Sequence, residues 1–352
     1  MSHAIRDHGR ISTVKTISFI VPCYNSAEYM NTCISSLLLC GDDIEVIIVD
    51  DGSTDDTARV ADGWAAEMPE TVQVIHKPNG GHGSAVNAGL DAAHGLYFKV
   101  VDSDDWLNED AMAPVMDYLR EQRTRTAPTD LVVTNYVYEK IHEDTRTVMD
   151  HRNTYPTDRE ITWHDLGRFN MVQYLHMHAV IYRTQLLKDI GLRLPENCFY
   201  VDNLYVYIPL PHVKSIRYFD LDVYRYYIGR EGQSVGVDIM LERIDQHLRV
   251  TRKMIDSVHL PDDAPDAKLF RYMSNHMALM ICVCAIFLRM RNTPEDDQKL
   301  ADMWDYLHFH SPQLFRRVKR HPLVIGSNIP TRLGARAGIT GYNIGRKMFN
   351  FN

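Results

Sequence analysis

The chain has 352 residues, enough for about two domains or one domain with a sizeable extension. Hydrophobic residues make up 45% and charged residues 24%, the composition of a soluble globular protein with a core of useful size. The net charge of -8 argues against nucleic acid as the main partner. The charge is unevenly spread. From Tyr306 to Asn352 there is no Asp or Glu, while Arg316, Arg317, Lys319, Arg320, Arg332, Arg336, Arg346 and Lys347 are cationic. Such a tail is a candidate for peripheral contact with anionic lipid, although a solvated basic helix fits it slightly better. The six cysteines form no C-x-x-C pair and sit in apolar surroundings, which fits a reducing compartment and no zinc site. The N-terminal segment 1–15 is polar and lacks the apolar core of a secretory signal. The longest apolar run, about Met277 to Leu288, is shorter than the roughly 20 residues of a membrane span. The expected location is the cytoplasm, with contact at the inner membrane face through the tail left open.

In chain order, Ile17–Val21 is an apolar β-rich run ended by Pro22, and Glu28–Leu39 has helical spacing. Glu45–Val49 is a second strand ended by Asp50-Asp51-Gly52. Thr54 or Asp55 can cap a helix running to about Glu67. Val72–Ile75 is a third strand, Ser84–Ala93 a helix and Leu96–Val101 a fourth strand. Strands thus recur about every 25 to 28 residues with helices between them, the pattern of βαβ units in a parallel, doubly wound sheet. Further on, Met112–Arg120 reads as a helix and Leu131–Tyr138 as a strand. Val180–Leu187 and Ser215–Ile228 mix strand and helix signals. From about Ile239 the chain turns helical, over Met240–Val258, Ala267–Arg291 and Pro294–Leu307.

In a parallel sheet the strand ends that bind ligands share one edge. Here that edge collects Pro22-Cys23-Tyr24-Asn25, then Asp50-Asp51-Gly52-Ser53-Thr54-Asp55, then the loop Lys77 to Gly83, and finally Asp102-Ser103-Asp104-Asp105. Crowded carboxylates repel one another unless a cation lies between them, and a hard divalent ion with oxygen ligands fits. An acidic turn capping the next helix is the plainer alternative. Glycines at 80, 81 and 83 permit close backbone approach to a ligand. The loop lacks G-x-x-x-x-G-K-[ST], and no G-x-G-x-x-G follows the first strand, which disfavours ATP hydrolysis and NAD binding of those types.

Together, Val21-Pro22-Cys23-Tyr24-Asn25, Val49 to Asp55, Asn79 to Gly89 and Asp102 to Trp106 resemble the ordered motifs of family 2 glycosyltransferases. The resemblance covers about Thr16 to Leu107 and extends more weakly to about Ser234. It implies an α/β, Rossmann-like, mostly parallel sheet of the A-type glycosyltransferase fold. The catalytic domain is expected over 16–235, with its nucleotide-sugar half at about 16–107 and its acceptor half at about 108–235. A helical extension follows over 236–352. The resemblance also implies a nucleotide-sugar donor, a saccharide or lipid-linked acceptor, and Mn²⁺ or Mg²⁺. Position by position, Pro22 and Tyr24 are expected to line the base pocket and Asp51 to read the base, uracil through its N3–H. Asn25, Asn79 and Gly80 are expected to border the donor. Asp102 and Asp104 match D-x-D, with Asp104 near the ribose and Asp104 or Asp105 on the metal. Val86 stands where many relatives carry an Arg, so no phosphate contact is expected there.

Inverting transfer needs a base opposite the leaving diphosphate. Asp202, in Phe199-Tyr200-Val201-Asp202-Asn203, is the candidate, with Val201 in place of the family's usual Glu. The alternative is a cap for 204–208. Arg230 and Ser234 resemble a loop closing over the donor phosphates. His82, His176, His178 and His212 read first as structural histidines, with a histidine as third metal ligand left open. Absence of Q-x-x-R-W disfavours a processive synthase. A nucleotidyltransferase needs Arg and Lys after the first strand, where this chain has Pro22 to Ser26. A non-catalytic nucleotide- or saccharide-binding module is the other reading.

Overall fold

The computed structural model describes residues 15–170, 173–229, 237–264 and 266–327. The first third is a run of βαβ units: β1 (Ile17–Cys23), α1 (Met30–Leu38), β2 (Ile44–Asp50), α2 (Thr57–Glu67), β3 (Val72–His76), α3 (His82–Ala92) and β4 (Tyr97–Val100). After them come β5 (Trp106–Leu107), α4 (Glu109–Gln122), β6 (Leu131–Lys140), β7 (Thr145–Met149), β8 (Glu160–Ile161) and β9 (Val180–Arg183). The short helices α5 (Thr184–Asp189) and α6 (Asp202–Tyr207) precede β10 (Ile216–Tyr227). The rest is helical: α7 (Val237–Glu242), α8 (Ile244–Ser257), α9 (Ala267–Arg291), α10 (Pro294–His310), α11 (Pro312–Lys319) and α12 (Pro322–Ser327).

One sheet runs β3-β2-β1-β4-β9-β6-β10-β5, with β7 beside β6 and β8 beside β10. The pairings of β1 with β2 and β4, and of β2 with β3, are parallel. All seven residues of β1 are buried, as expected of a strand covered by helices on both faces. Pro22 lies inside this strand instead of ending it. The Ile20 carbonyl accepts from Val101 N on the β4 side, and the Cys23 carbonyl accepts from Asp51 N on the β2 side. By this alternation Pro22 faces the β4 side, beyond the last β1–β4 pair at Ile20 and Val100, so its missing N–H costs no ladder bond. β9 joins the two halves, antiparallel to both β4 and β6, and β10 runs parallel to β6. This brings the end of β10 beside the turn that follows β4.

The helical region packs around α9, which touches α8, α10, α11 and α12. Met273, Met277 and Met280 are buried, filling its core face as helix methionines commonly do. α9 is longer than the apolar run suggests. Its 25 residues are by length and composition sufficient to cross a membrane, yet 67% of its most apolar window is buried inside the fold. The same helix faces the sheet region. Its Lys268 ammonium donates to the carbonyls of His164 and Leu166, and its Tyr272 hydroxyl accepts from Leu175 N.

Candidate active site at the strand ends

The loops after β1 and β2 are laced together. Asn25, at φ 50°, accepts from Thr54 N at 2.8 Å and donates its own N–H to Ser53 Oγ at 3.0 Å. Ala27 N donates to Asp55 at 3.2 Å. Asp55 also accepts from Thr57 N, the first residue of α2, but the N-cap of that helix is Asp56, one residue beyond the expected Thr54 or Asp55. Pro22 is buried beneath these loops, while Tyr24 is 53% exposed at the open edge. Gly52 has φ 72°, and a Cβ there would lie 2.8 Å from Asn79 N, which explains a glycine where two loops cross.

Asp51 is buried and anchors the loop after β3. Its Oδ1 accepts from Lys77 Nζ at 2.6 Å and Gly80 N at 3.0 Å, and its Oδ2 accepts from Gly81 N at 2.6 Å. Gly81, at φ 82°, is the N-cap of α3, a backbone state that a side chain there would strain. Asn79 is exposed at the rim of this loop, and the Gly80 carbonyl accepts from Asn197 N at 2.6 Å. Asn87 adds a second tie to the same segment through the N–H and carbonyl of Leu194.

The acidic turn is fixed from the far side of the sheet. Asp105 is buried. Its Oδ2 accepts from the Tyr224 hydroxyl at 2.6 Å and its Oδ1 from Tyr227 N at 2.8 Å. Burial, then the charges of Asp104 and Asp102, hold the Asp105 carboxyl well above the usual carboxylate range. Ser103 meets Ser26 at 2.7 Å, tying the turn to the β1 loop. His82, the first residue of α3, donates from Nε2 to Asp102 Oδ1 at 3.0 Å. Burial works against its protonation, but Asp102, with Asp202 and Asp51 nearby, outweighs burial and raises its pKa.

Asp102, Asp105 and His178 each offer a ligand atom, and these atoms lie within 4.8 Å of one another. Asp104 is not one of the three. The Nδ1 of His178 is buried without a hydrogen-bond partner, and burial pushes this imidazole down to about 4. A neutral imidazole and two carboxylates whose mutual repulsion opposes ionisation form a donor set that a divalent cation fits. Behind them lies Lys99, buried in mid-strand and donating to the His178 carbonyl at 2.8 Å. Burial lowers its pKa to about 7. The sequence reading passed over this residue, although a lysine inside an otherwise apolar, doubly covered strand is an available signal. His176 is stacked between Tyr174 and His178, which agrees with a structural role.

Asp202 is the first residue of α6, after Tyr200 at φ 65°, a strained backbone state for a bulky residue. The N-cap is Val201 and makes no side-chain capping bond, so Asp202 does not hold the position the cap alternative required. Instead it sits within electrostatic reach of His82 and Asp102. Burial raises its pKa, His82 opposes that, and Asp102 reinforces it. The structure therefore brings Asp51, Asp102, Asp105, His178 and Asp202 to one region. Arg230 and Ser234 lie outside the described residues, as does the tail from residue 328.

A half-parallel sheet with acids gathered at its strand ends, backed by C-terminal helices, has the architecture of the A-type glycosyltransferase fold. Crystallised TarS residues 1–349 from S. aureus, in complex with UDP-GlcNAc, superpose with a TM-score of 0.67 at 21% identity, covering 94% of this chain and 92% of that one. Residues 18–190 match Glycosyl transferase family 2. The chain therefore carries a family 2 glycosyltransferase domain over residues 18–190. The putative glycosyltransferase EpsH of Bacillus subtilis is 32% identical over 225 residues, 60% of each protein. Hyaluronan synthase of Pasteurella multocida is 40% identical over 107 residues, 30% of this chain and 11% of that enzyme. The match thus spans less than two thirds of EpsH and about a tenth of the synthase.

Proposed function

We propose that the protein moves a sugar, with inversion, from a nucleoside-diphosphate sugar, UDP-linked for preference, to a hydroxyl of a saccharide or lipid-linked acceptor in polysaccharide or glycoconjugate synthesis. The observation that carries this reading is the placement of Asp202. It leaves the capping position of α6 to Val201 and lies within electrostatic reach of the His82–Asp102 pair. A carboxylate with a raised pKa beside the donor end of the sheet suits a general base that removes the acceptor proton.

Pro22, Tyr24, Asn25, Asn79 and Gly80 border the donor in this reading. Asp51 reads the base in this proposal; its three donors make four contacts, two at each oxygen, so a base N–H would take over the longer Gly80 contact at Oδ2. Asp104 faces the ribose, and Arg230 and Ser234 are candidates for the phosphates. Asp102, Asp105 and His178 hold the metal. Mn²⁺ suits a site with imidazole better than Mg²⁺, which prefers oxygen alone. When bound, such an ion stabilises negative charge on a departing diphosphate. The catalytic part occupies about 16–235, with 236–352 supporting it. Location at the inner face of a membrane fits an acceptor of lipid-linked type.

Asp202→Asn tests the central assignment. Transfer from a UDP-sugar should fall by three orders of magnitude or about that, while UDP affinity by calorimetry stays within about twofold. Normal transfer by this variant refutes the assignment.

A further inference from the structure

We infer that His276, on the C-terminal helix α9, is a positioning residue for the proposed base, acting through Asn203 on Asp202. The inference rests on the reading of Asp202 given above.

Asn203 stands between the two. Its Nδ2 donates to the Tyr200 carbonyl at 3.2 Å and to Asp202 Oδ1 at 3.4 Å. Its Oδ1 lies 3.1 Å from His276 Nε2. A carbonyl only accepts, so Tyr200 forces the amide nitrogen toward itself and Asp202, and the amide oxygen toward the helix. The oxygen in turn needs a donor, so His276 carries its proton on Nε2. The other ring nitrogen, Nδ1, is buried and has no partner, which matches a bare lone pair. Burial pushes His276 down to about 3, so it stays neutral and keeps this single tautomer through the range in which the enzyme works.

The ring itself is immobilised. His276 is buried, with Tyr174, Tyr207 and Tyr272 packed at centroid distances of 4.7, 5.5 and 6.3 Å. It shares a helix face with Lys268 and Tyr272, spaced four residues apart, both of which bond to the sheet region. The same α9 face that docks the extension therefore presents one N–H to the segment carrying the base. Tyr200, in its strained conformation, gives the turn before Asp202 a reason to relax elsewhere. The Asn203 amide, held at one end by His276, restrains that turn and fixes the Asp202 carboxylate. A base misplaced by about 1 Å can lose on the order of a hundredfold in rate, so this restraint matters to turnover more than to binding.

The test compares His276→Leu, His276→Gln and Asn203→Ala, with Asp202→Asn alongside, in UDP-sugar turnover and UDP calorimetry. His276→Leu and Asn203→Ala should lower kcat by about ten- to a hundredfold with donor KM and UDP affinity unchanged. His276→Gln, whose amide can donate from nearly the same place, should recover kcat to within about threefold of the parent. Asn203 is partly exposed, so its variant reports even where His276→Leu fails to fold. Equal losses in His276→Leu and His276→Gln would mean packing alone and overturn the inference, as would parental kcat in Asn203→Ala. Loss of transfer in Asp202→Asn together with parental kcat in the other variants removes only the positioning role. Normal transfer by Asp202→Asn removes the base reading itself.

Discussion

Replacing Asp51 by Asn separates two tasks that one carboxylate performs. In the structure Oδ1 faces the Lys77 ammonium and Gly80 N, and Oδ2 faces Gly81 N at 2.6 Å. An amide keeps one acceptor and turns the other into a donor. With its nitrogen at the Oδ1 position, the amide meets Lys77 Nζ. With the nitrogen at Oδ2, it meets Gly81 N–H. Either way one close contact is lost, from Lys77, which keeps the Pro78 carbonyl at 2.7 Å, or from Gly81 N, at a cost of about 1–3 kcal/mol. The charge assistance to Lys77 is lost as well. A total of roughly 3 kcal/mol follows. Urea denaturation of Asp51→Asn should show a lowered midpoint with an unchanged slope, since surface exposed on unfolding does not change. UDP affinity should fall in parallel, because the glycine-rich loop borders the donor. Lys77→Met should reproduce part of the midpoint shift and little of the affinity loss. An Asp51→Asn protein that unfolds at the parental midpoint yet changes its preference among UDP, GDP and CDP would refute the anchoring argument and leave base reading as the residue's sole task.

His178→Ala should weaken Mn²⁺ binding, measured by paramagnetic resonance or calorimetry without donor, by about tenfold or more, and Mg²⁺ binding by less. Equal affinity for both ions in the parent and the variant would remove His178 from the ligand set. Stability should fall on acidification between about pH 6.5 and 4. Burial holds His151 and His247 down to about 4 and His276 to about 3 in the folded state. The unfolded chain takes up those protons first, near pH 6.5, so it binds more protons throughout that window and stability drops as pH falls. Each histidine adds up to about 1.4 kcal/mol per pH unit, so three contribute on the order of 4 kcal/mol per unit, reduced by His82, Asp105 and Asp202, whose raised pKa values act in the opposite sense. A flat urea midpoint from pH 6.5 to 4.5 contradicts this.

The parallel half of the fold was legible because its strands are covered on both faces and read as unbroken apolar runs between helical stretches. Helix α3 begins two residues before its sequence signal, at His82, because the loop anchored by Asp51 sets where the chain enters it. The second half was harder to read. β5, β7 and β8 are short or exposed and carry little periodicity. Strand β9 was blurred with α5, since the two follow each other directly at Thr184 with no glycine or proline between them. At the site, the contiguous acids of the β4 turn announced themselves. The partners that fix them did not, because they are distant in sequence. Tyr224 and Tyr227 come from β10 and His178 from the segment before β9, and only the order β4-β9-β6-β10 makes them neighbours. His276 belongs to a helix whose pattern reads as core alone.

These partners resolve an electrostatic problem that the sequence poses. Four acids, Asp51, Asp102, Asp105 and Asp202, converge on one sheet edge, and no single cation serves them all. Asp51 is neutralised by Lys77. Asp102 is paired with His82. Asp105 receives a hydroxyl and a backbone N–H but no charge, and its carboxyl is raised accordingly. Asp202 is left with His82 at a distance and the amide of Asn203. The compensation is therefore graded along the edge. It is most complete at Asp51, the anchor of the glycine-rich loop, and least complete at Asp105 and Asp202; Asp102, paired with His82, shares with Asp105 the proposed cation, and Asp202 is proposed to accept a proton. Groups left under-compensated in this way are the ones whose charge state a ligand can change.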